Sequence, residues 1–188
     1  MIIIDFHNLF DMDTIVLDLG SSSFKIGEAE RESPAFIFTP VLGKHKRPNE
    51  LNYRESFIGN DALRKSELLY LSKPIEKGEI TDWNCLEILL PHVIYSNHLK
   101  PDVEENRLLI CDSPVVSTET REKLAELIFE KYKFPYLLMA STATMALFSS
   151  QNLTGTVLQC GYDISTCVSI YQGITISKSI FSSDIGGY

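Results

Sequence analysis

The segment VLDLGSSSFKIG, residues 16–27, predicts two β-strands that are joined by a tight turn of glycine and serine. β-forming residues fill residues 14–19, and apolar and polar residues alternate in residues 24–30, which is typical of strands with one buried face. The turn between them, residues 20–23, contains only small side chains. We therefore expect a β-hairpin whose turn another group can approach closely.

A second segment, close to the end of the sequence, repeats this pattern. Superimposing Gly20 on Gly161 aligns residues 16–20 with residues 157–161, and in both places a strand runs into a glycine turn and then into another strand. The two hairpins are therefore related as a pseudo-repeat. The strands that we predict in this part of the chain cover residues 156–160, 165–171 and 174–181.

Both turns have the chemistry of an anion-binding site. Consecutive backbone N–H groups in such turns form a concave site for anions, and small side chains let phosphate oxygens approach. Lys25 supplies a positive charge for a phosphate group, and Asp18 suits a hydrated Mg²⁺, which binds through one or two carboxylates, water and phosphates. The alternative is that both turns are ordinary hairpins whose glycine and serine residues only serve the turn, with Asp163 as a turn residue.

The composition indicates an acidic globular protein. The 188 residues include 17 Lys and Arg against 25 Asp and Glu, a formal net charge of −8, and 44% are hydrophobic. This charge argues against a general binder of nucleic acids or anionic membranes. No apolar run approaches the ~18 residues of a membrane-spanning helix, and the cysteines and histidines lack metal-ligand spacing. We therefore expect a soluble intracellular protein in a reducing compartment.

Residues 34–150 predict a core of mixed strands and helices. Asp82 is expected to cap a helix that begins at Trp83 and that Pro91 kinks or ends. Polar residues 41–56 predict an exposed loop and a candidate contact surface. This order indicates one sheet that antiparallel hairpins and βα units share. The further predicted elements are a strand at residues 34–39, a helix from Gly59 that is capped by Asn60 or Asp61 and includes Leu63, Leu68 and Leu69, a strand at residues 107–111, a helix at residues 118–132 capped by Ser117, a strand at residues 136–139 and a helix at residues 140–150.

These segments resemble the actin family, within the larger group that includes sugar kinases and heat-shock ATPase chaperones. Residues 16–27 resemble the family's first phosphate loop, and residues 73–84 (KPIEKGEITDWN) resemble a segment specific to actins. Residues 121–130 resemble a helix of actins and actin-related proteins, while residues 153–166 and 170–173 resemble a strand, the second phosphate region and a hairpin. The resemblance implies the α/β fold of an actin-like ATPase (ribonuclease H-like) domain, a mixed sheet with flanking helices.

The resemblance also implies two domains. Residues 1–150 match the first actin-like domain, including the exposed loop at about residues 41–56, and residues 151–188 match the start of the second. Family members continue beyond the segment that resembles residues 183–188, into the rest of a second domain with the adenine pocket. We therefore expect the second domain to be truncated, either in a fragment or in a protein that has given up its nucleotide site.

Positions in the family's motifs imply a site for ATP and Mg²⁺. Asp18 corresponds to the residue near the hydrated metal. The residues that are expected to contact or face the ATP phosphates are Gly20, Ser21, Ser22, Ser23 and Lys25 from one turn and Gly161, Tyr162 and Asp163 from the other.

Four polar positions of the family's site are altered in this sequence. Its second-loop aspartate corresponds to Gln159 and its next aspartate to Tyr162, while its catalytic-region glutamine corresponds to Thr142 and its water-orienting histidine to Thr166. In-line attack on a terminal phosphate requires an oriented water and stabilisation by the metal's charge. We therefore expect no catalytic residue, ATP binding that is weak or lost, and little or no hydrolysis.

The leading hypothesis is an actin-like cytoskeletal or scaffold protein that acts through contacts with other actin-family or cytoskeletal proteins. Neither nucleic acid nor membrane is an expected partner, and the expected location is the cytoplasm and its cytoskeleton, with the nucleus as an alternative. The loop at residues 41–56 is shorter than its actin counterpart, which argues against conventional polymerisation. The competing hypotheses are a working ATPase, in which Asp163 replaces the missing carboxylate, and a truncated isoform without function.

Overall fold

The computed structural model describes residues 12–46, 56–95 and 105–187, which form strands, four α-helices and short helical turns. The strands are β1 (Thr14–Leu19), β2 (Phe24–Glu28), β3 (Phe36–Phe38), β4 (Leu42–His45), β5 (Ser56–Ile58), β6 (Leu69–Ser72), β7 (Ile75–Glu76), β8 (Glu79–Ile80), β9 (Arg107–Asp112), β10 (Tyr136–Ser141), β11 (Gly155–Cys160), β12 (Ser165–Tyr171), β13 (Ile174–Thr175) and β14 (Phe181–Ser183). The helices are α1 (Gly59–Arg64), α2 (Trp83–Ile94), α3 (Thr118–Glu126) and α4 (Thr142–Ser149).

The largest sheet is mixed, as predicted from the sequence. Its strand order is β10-β9-β1-β2-β3. β1 is antiparallel to β2 and parallel to β9, and β9 is parallel to β10. The hairpin and the βα units therefore share one sheet, and they bring the end of β1 beside the end of β9.

The main core lies against this sheet. Buried and partly exposed residues alternate along β1, so that Ile15, Leu17 and Leu19 point into the core. Helix α2 packs there through Leu86, Leu89 and other fully buried side chains. The predicted caps of two helices are confirmed, since Asp82 accepts a hydrogen bond from the Cys85 N–H and Ser117 accepts one from the Thr120 N–H. A π-helical turn, Leu127–Lys131, extends α3.

Pro91 does not end helix α2, which continues to Ile94. Proline removes one backbone donor and usually breaks a helix interior. Here Leu90, Val93 and Ile94 are completely buried around it, so tertiary packing outweighs the local cost. Within the described residues, no helix is long and apolar enough to cross a membrane.

The prediction of an exposed loop at residues 41–56 is wrong for its first residues, 41–45. Val41 and Leu42 are 2% and 1% exposed, and β4 is the central strand of a small sheet with the order β5-β4-β6. Residues 47–55 lie outside the described residues. The short run of residues 41–45 holds too few positions to show a strand period, and burial by other segments decides its structure.

The predicted helix from Gly59 is also shorter than expected, because α1 ends at Arg64 and Leu69 belongs to β6. Neither Asn60 nor Asp61 caps it, because the N-cap position is Ile58 without a side-chain hydrogen bond. The Asn60 side chain instead accepts a hydrogen bond from the Thr39 hydroxyl.

A second sheet contains β11, β12 and β13 in that order, with β14 also paired to β12. Helix α4 covers one of its faces through Ala143 and Leu147. The single strand predicted at residues 174–181 is wrong, because a 3-10 turn at Ser177–Ser179 interrupts it. The Ser179 hydroxyl bonds both the N–H and the C=O of Ser169, and thus replaces backbone pairing to β12.

Candidate functional site

The two glycine turns that the sequence relates are also equivalent in structure. We call Gly20–Ser23 the first glycine turn and Gly161–Ile164 the second. The Gly20 N–H donates to the Ser23 carbonyl at 3.3 Å, and the Gly161 N–H donates to the Ile164 carbonyl at 2.9 Å. A Cβ atom at either glycine would lie within 2.9 Å of that carbonyl oxygen. Both turns therefore require glycine for the same steric reason.

These turns face each other across a cleft of about 350 Å³. The cleft brings together all the predicted site residues, although their role in binding stays a prediction. The predicted site residues that line it are Asp18, Gly20, Ser21, Ser22, Ser23, Lys25, Gly161, Tyr162 and Asp163. Three altered positions, Gln159, Thr142 and Thr166, line the same cleft.

The residues of the cleft wall that sequence reasoning missed include three from other segments of the chain: Gly78, Ser113 and Pro114. Gly78 lies in the hairpin turn between β7 and β8, while the other two follow β9. The signal that was available is the predicted strand at residues 107–111, because neighbouring parallel strands end at the same edge of a sheet and ligands bind there. A side chain at Gly78 would collide with Ser113, since a Cβ atom would lie 2.5 Å from the Ser113 hydroxyl oxygen.

The first glycine turn has donors that suit a phosphate group. Within the part of the chain that the structure describes, no backbone oxygen accepts a hydrogen bond from the N–H of Ser21, Ser22 or Ser23. Lys25 lies beside them, but its ammonium group forms an ion pair with Asp18 at 2.8 Å. The residues predicted for phosphate charge and for the metal therefore neutralise each other.

Asp163 joins the two glycine turns and a third segment. Its Oδ1 accepts a hydrogen bond from the Ser21 hydroxyl at 2.7 Å, and its Oδ2 accepts one from the Lys77 N–H at 2.7 Å. We call this pair of contacts the Asp163 bridge. Lys77 lies in the β7–β8 turn with a φ of 50°, so this turn presents its N–H from a left-handed conformation.

The neighbours of Asp163 strengthen the contact with the β7–β8 turn. The Lys73 ammonium lies 4.4 Å from the centre of the Tyr162 ring, which is a cation–π geometry. The Lys77 ammonium bonds to Asp184 at 2.5 Å, and this contact raises the pKa of Lys77. Tyr162, Asp163 and Asp184 thus hold the second glycine turn against the segment that contains Lys73 and Lys77.

Three of the four altered positions, Thr142, Gln159 and Thr166, are uncharged residues of the cleft lining. The Thr142 hydroxyl donates to the Gln159 side-chain oxygen at 3.1 Å, and Thr166 is 4% exposed. Next to the lining residue Ser113, Asp112 forms an ion pair with Arg121 through two hydrogen bonds, at 2.7 and 2.9 Å. Burial raises the pKa of Asp112, although the Arg121 guanidinium opposes that shift. Burial also raises the pKa of the Cys111 thiol to about 11, so this thiol is unreactive at neutral pH.

The comparison with known families decides the identity of this fold. The family model described as Actin matches residues 10–188. The chain belongs to the actin family. Among curated proteins, centractin of Schizosaccharomyces pombe is 32% identical over 183 residues, which cover 95% of this chain and 48% of centractin. The chain therefore spans about half the length of the curated relative that it matches, and the expected actin-like α/β fold is confirmed.

Proposed function

We propose that this chain is an actin-like cytoskeletal protein that acts through protein–protein contacts in the cytoplasm. In this proposal, the cleft binds ATP phosphates weakly or not at all and does not hydrolyse ATP. Membership of the actin family and the similarity to centractin support the cytoskeletal part. The outer face of the second sheet supports the part about contacts, and the residues of the cleft support the part about ATP.

The cleft offers groups for phosphate but few for hydrolysis. The N–H groups of the first glycine turn and Lys25 fit a phosphate, and Asp18 is the residue that would hold a hydrated Mg²⁺. Hydrolysis needs a group that orients the attacking water. The lining of the described cleft contains no histidine, and both oxygens of Asp163 accept hydrogen bonds from the protein. Bound ATP and Mg²⁺ would supply the reactive phosphate and its charge compensation, without a side chain placed to activate water.

The outer face of the second sheet supports a role in protein contacts, and it is the observation that carries this part of the proposal. Leu158 and Phe181 both pair with Cys167 in the strand register, so the three side chains lie side by side on one face. Leu158 is 71% exposed and Phe181 is 68% exposed. Contiguous apolar side chains on a surface mark sites of contact with other proteins.

The proposal predicts that the chain forms a complex with an actin-family protein. Sedimentation velocity of the chain mixed with purified monomeric actin, and separately with purified centractin, should show a heavier species with at least one of them. Leu158→Ser should weaken that complex by about tenfold or more, because it removes an apolar contact from the face. Ile37→Ser is the matched control, since Ile37 is 59% exposed on the first sheet.

Absence of a complex with both proteins would contradict the contact part of the proposal. Equal weakening by the two substitutions would show that the face on the second sheet is not the contact surface. The competing ATPase hypothesis keeps one supporting observation, which is that the Asp163 carboxylate lies in the cleft beside Ser21. Phosphate release from Mg-ATP by the purified chain would favour that hypothesis.

A further inference from the structure

The Asp163 bridge places a negative charge where the first glycine turn would meet a phosphate. Asp163 Oδ1 lies 2.7 Å from the Ser21 hydroxyl oxygen, within the same turn whose backbone N–H groups suit an anion. A carboxylate that accepts a hydrogen bond in this place uses the geometry that a phosphate oxygen would use. Ser21 is therefore already engaged by an anion of the protein.

The cleft lining as a whole also carries a net negative charge. The charged residues among those that line the described cleft are Asp18, Asp163 and Lys25, so two carboxylates face one ammonium group. Lys25 is paired with Asp18 at 2.8 Å. The formal charge of the lining is therefore −1, and Asp163 is the carboxylate without a cation among the lining residues. The Lys77 ammonium also interacts with Asp163, but it lies outside the lining and is paired with Asp184. An entering phosphate meets this charge at short range, where like charges repel strongly.

The backbone holds this carboxylate in place from the opposite side. The Lys77 N–H donates to Asp163 Oδ2 at 2.7 Å, and the two residues are 86 positions apart in the sequence. Because one oxygen is bound to the β7–β8 turn and the other to the first glycine turn, the side chain cannot rotate away without losing both hydrogen bonds. A phosphate has to displace a fixed group.

We propose that Asp163 is a built-in competitor of phosphate, an autoinhibitory contact that holds the cleft closed to the ATP phosphates. This inference rests on the proposed function, because it explains why a cleft with phosphate-binding donors binds ATP weakly. The carboxylate excludes phosphate in two ways: it occupies the Ser21 hydroxyl, and it repels the incoming negative charge. Removal of its charge alone is then sufficient to restore affinity.

The experiment compares a carboxylate that lines the cleft with one that does not. Asp163→Asn keeps the size of the side chain and an oxygen that accepts the Lys77 N–H, and it removes the negative charge. Asp61→Asn is the matched control, because Asp61 pairs with Arg64 on the surface and does not line the cleft. Both substitutions change the net charge of the chain by the same amount. Isothermal titration with inorganic tripolyphosphate, and separately with Mg-ATP, measures the affinity of each variant.

We expect Asp163→Asn to bind tripolyphosphate at least about tenfold more tightly than the wild type, with a larger ratio at low salt. Asp61→Asn should stay within about twofold of the wild type, since its charge is exposed, is paired with Arg64 and lies outside the cleft lining. Thermal unfolding of each variant establishes that it is folded. If Asp163→Asn does not fold, Asp163→Ser replaces it and carries the same expectation.

Equal or weaker binding by the neutral variant, or no binding by either protein, would overturn the inference. Mg-ATP binding and phosphate release by the wild type test the proposed function separately. If the wild type binds Mg-ATP tightly and releases phosphate, the proposed function fails whatever Asp163 does. If the wild type binds weakly without turnover and the neutral variant does not improve, only the competitor role of Asp163 fails.

Discussion

Leu17→Ala lowers the free energy of unfolding by about 2 to 5 kcal/mol, the range found for the loss of a buried leucine side chain. Leu17 is 0% exposed at the centre of β1, between β2 and β9. The truncation leaves a cavity that the two neighbouring strands cannot fill, because their hydrogen-bonded register fixes their distance. Urea unfolding followed by Trp83 fluorescence measures the loss, since Trp83 packs against the same core.

The pseudo-repeat supplies a matched control for this substitution. Leu158 occupies the position in β11 that corresponds to Leu17 in β1, but its side chain is 71% exposed. Leu158→Ala should therefore change the free energy of unfolding by less than about 0.5 kcal/mol. Equal losses for the two variants would mean that the first sheet does not hold the core as described.

Arg121→Met lowers the free energy of unfolding by about 3 kcal/mol at neutral pH, the low end of the range for breaking a buried ion pair. The substitution leaves the Asp112 carboxylate, which is 5% exposed, without its partner. We expect the low end because the Arg121 side chain is 40% exposed and water screens part of the interaction. Arg64→Met is the control, since the Arg64–Asp61 pair is exposed and should contribute less than about 0.5 kcal/mol.

The pH dependence of this loss has a definite sign. Burial already raises the pKa of Asp112 above 3.8, and removal of Arg121 takes away the group that opposes this shift. A carboxyl group whose pKa is raised in the folded state favours folding below its unfolded pKa, and this contribution disappears as the pH rises through the folded pKa. The variant's loss should therefore be smaller at acidic pH and grow toward neutral pH. A loss that is independent of pH would show that an unpaired Asp112 charge is not its cause.

The sequence predicted the elements whose own residues determine their structure. The β1–β2 hairpin has a strand period on both sides of its glycine turn, and the Asp82 and Ser117 caps act within three residues of their own helices. In two places where distant segments decide the structure, the predictions were wrong. Strand β4 lies within a region predicted as a loop because other strands bury it, and the break after β13 depends on the contact between Ser179 and Ser169.

In the candidate site, too, the sequence predicted the local features and not the contacts between distant segments. Glycine at positions 20 and 161 could be predicted, because both turns use it for the same close approach to a carbonyl oxygen. The Asp163 bridge could not, because Ser21 is 142 residues away in sequence and meets Asp163 only when the two sheets face each other. Gly78 and Ser113 reach the cleft for the same reason, through the hairpin turn and the end of β9.

The most direct test of the account is thermal unfolding of the purified chain, followed by Trp83 fluorescence, with and without Mg-ATP. A ligand that binds only the folded protein stabilises it by about 2.7 kcal/mol at a hundredfold excess over its dissociation constant. We predict one cooperative transition that millimolar Mg-ATP shifts far less than this, with no release of phosphate. A shift of that size that Lys25→Ala abolishes, together with phosphate release, would contradict the claim that this actin-family chain acts through protein contacts rather than ATP turnover.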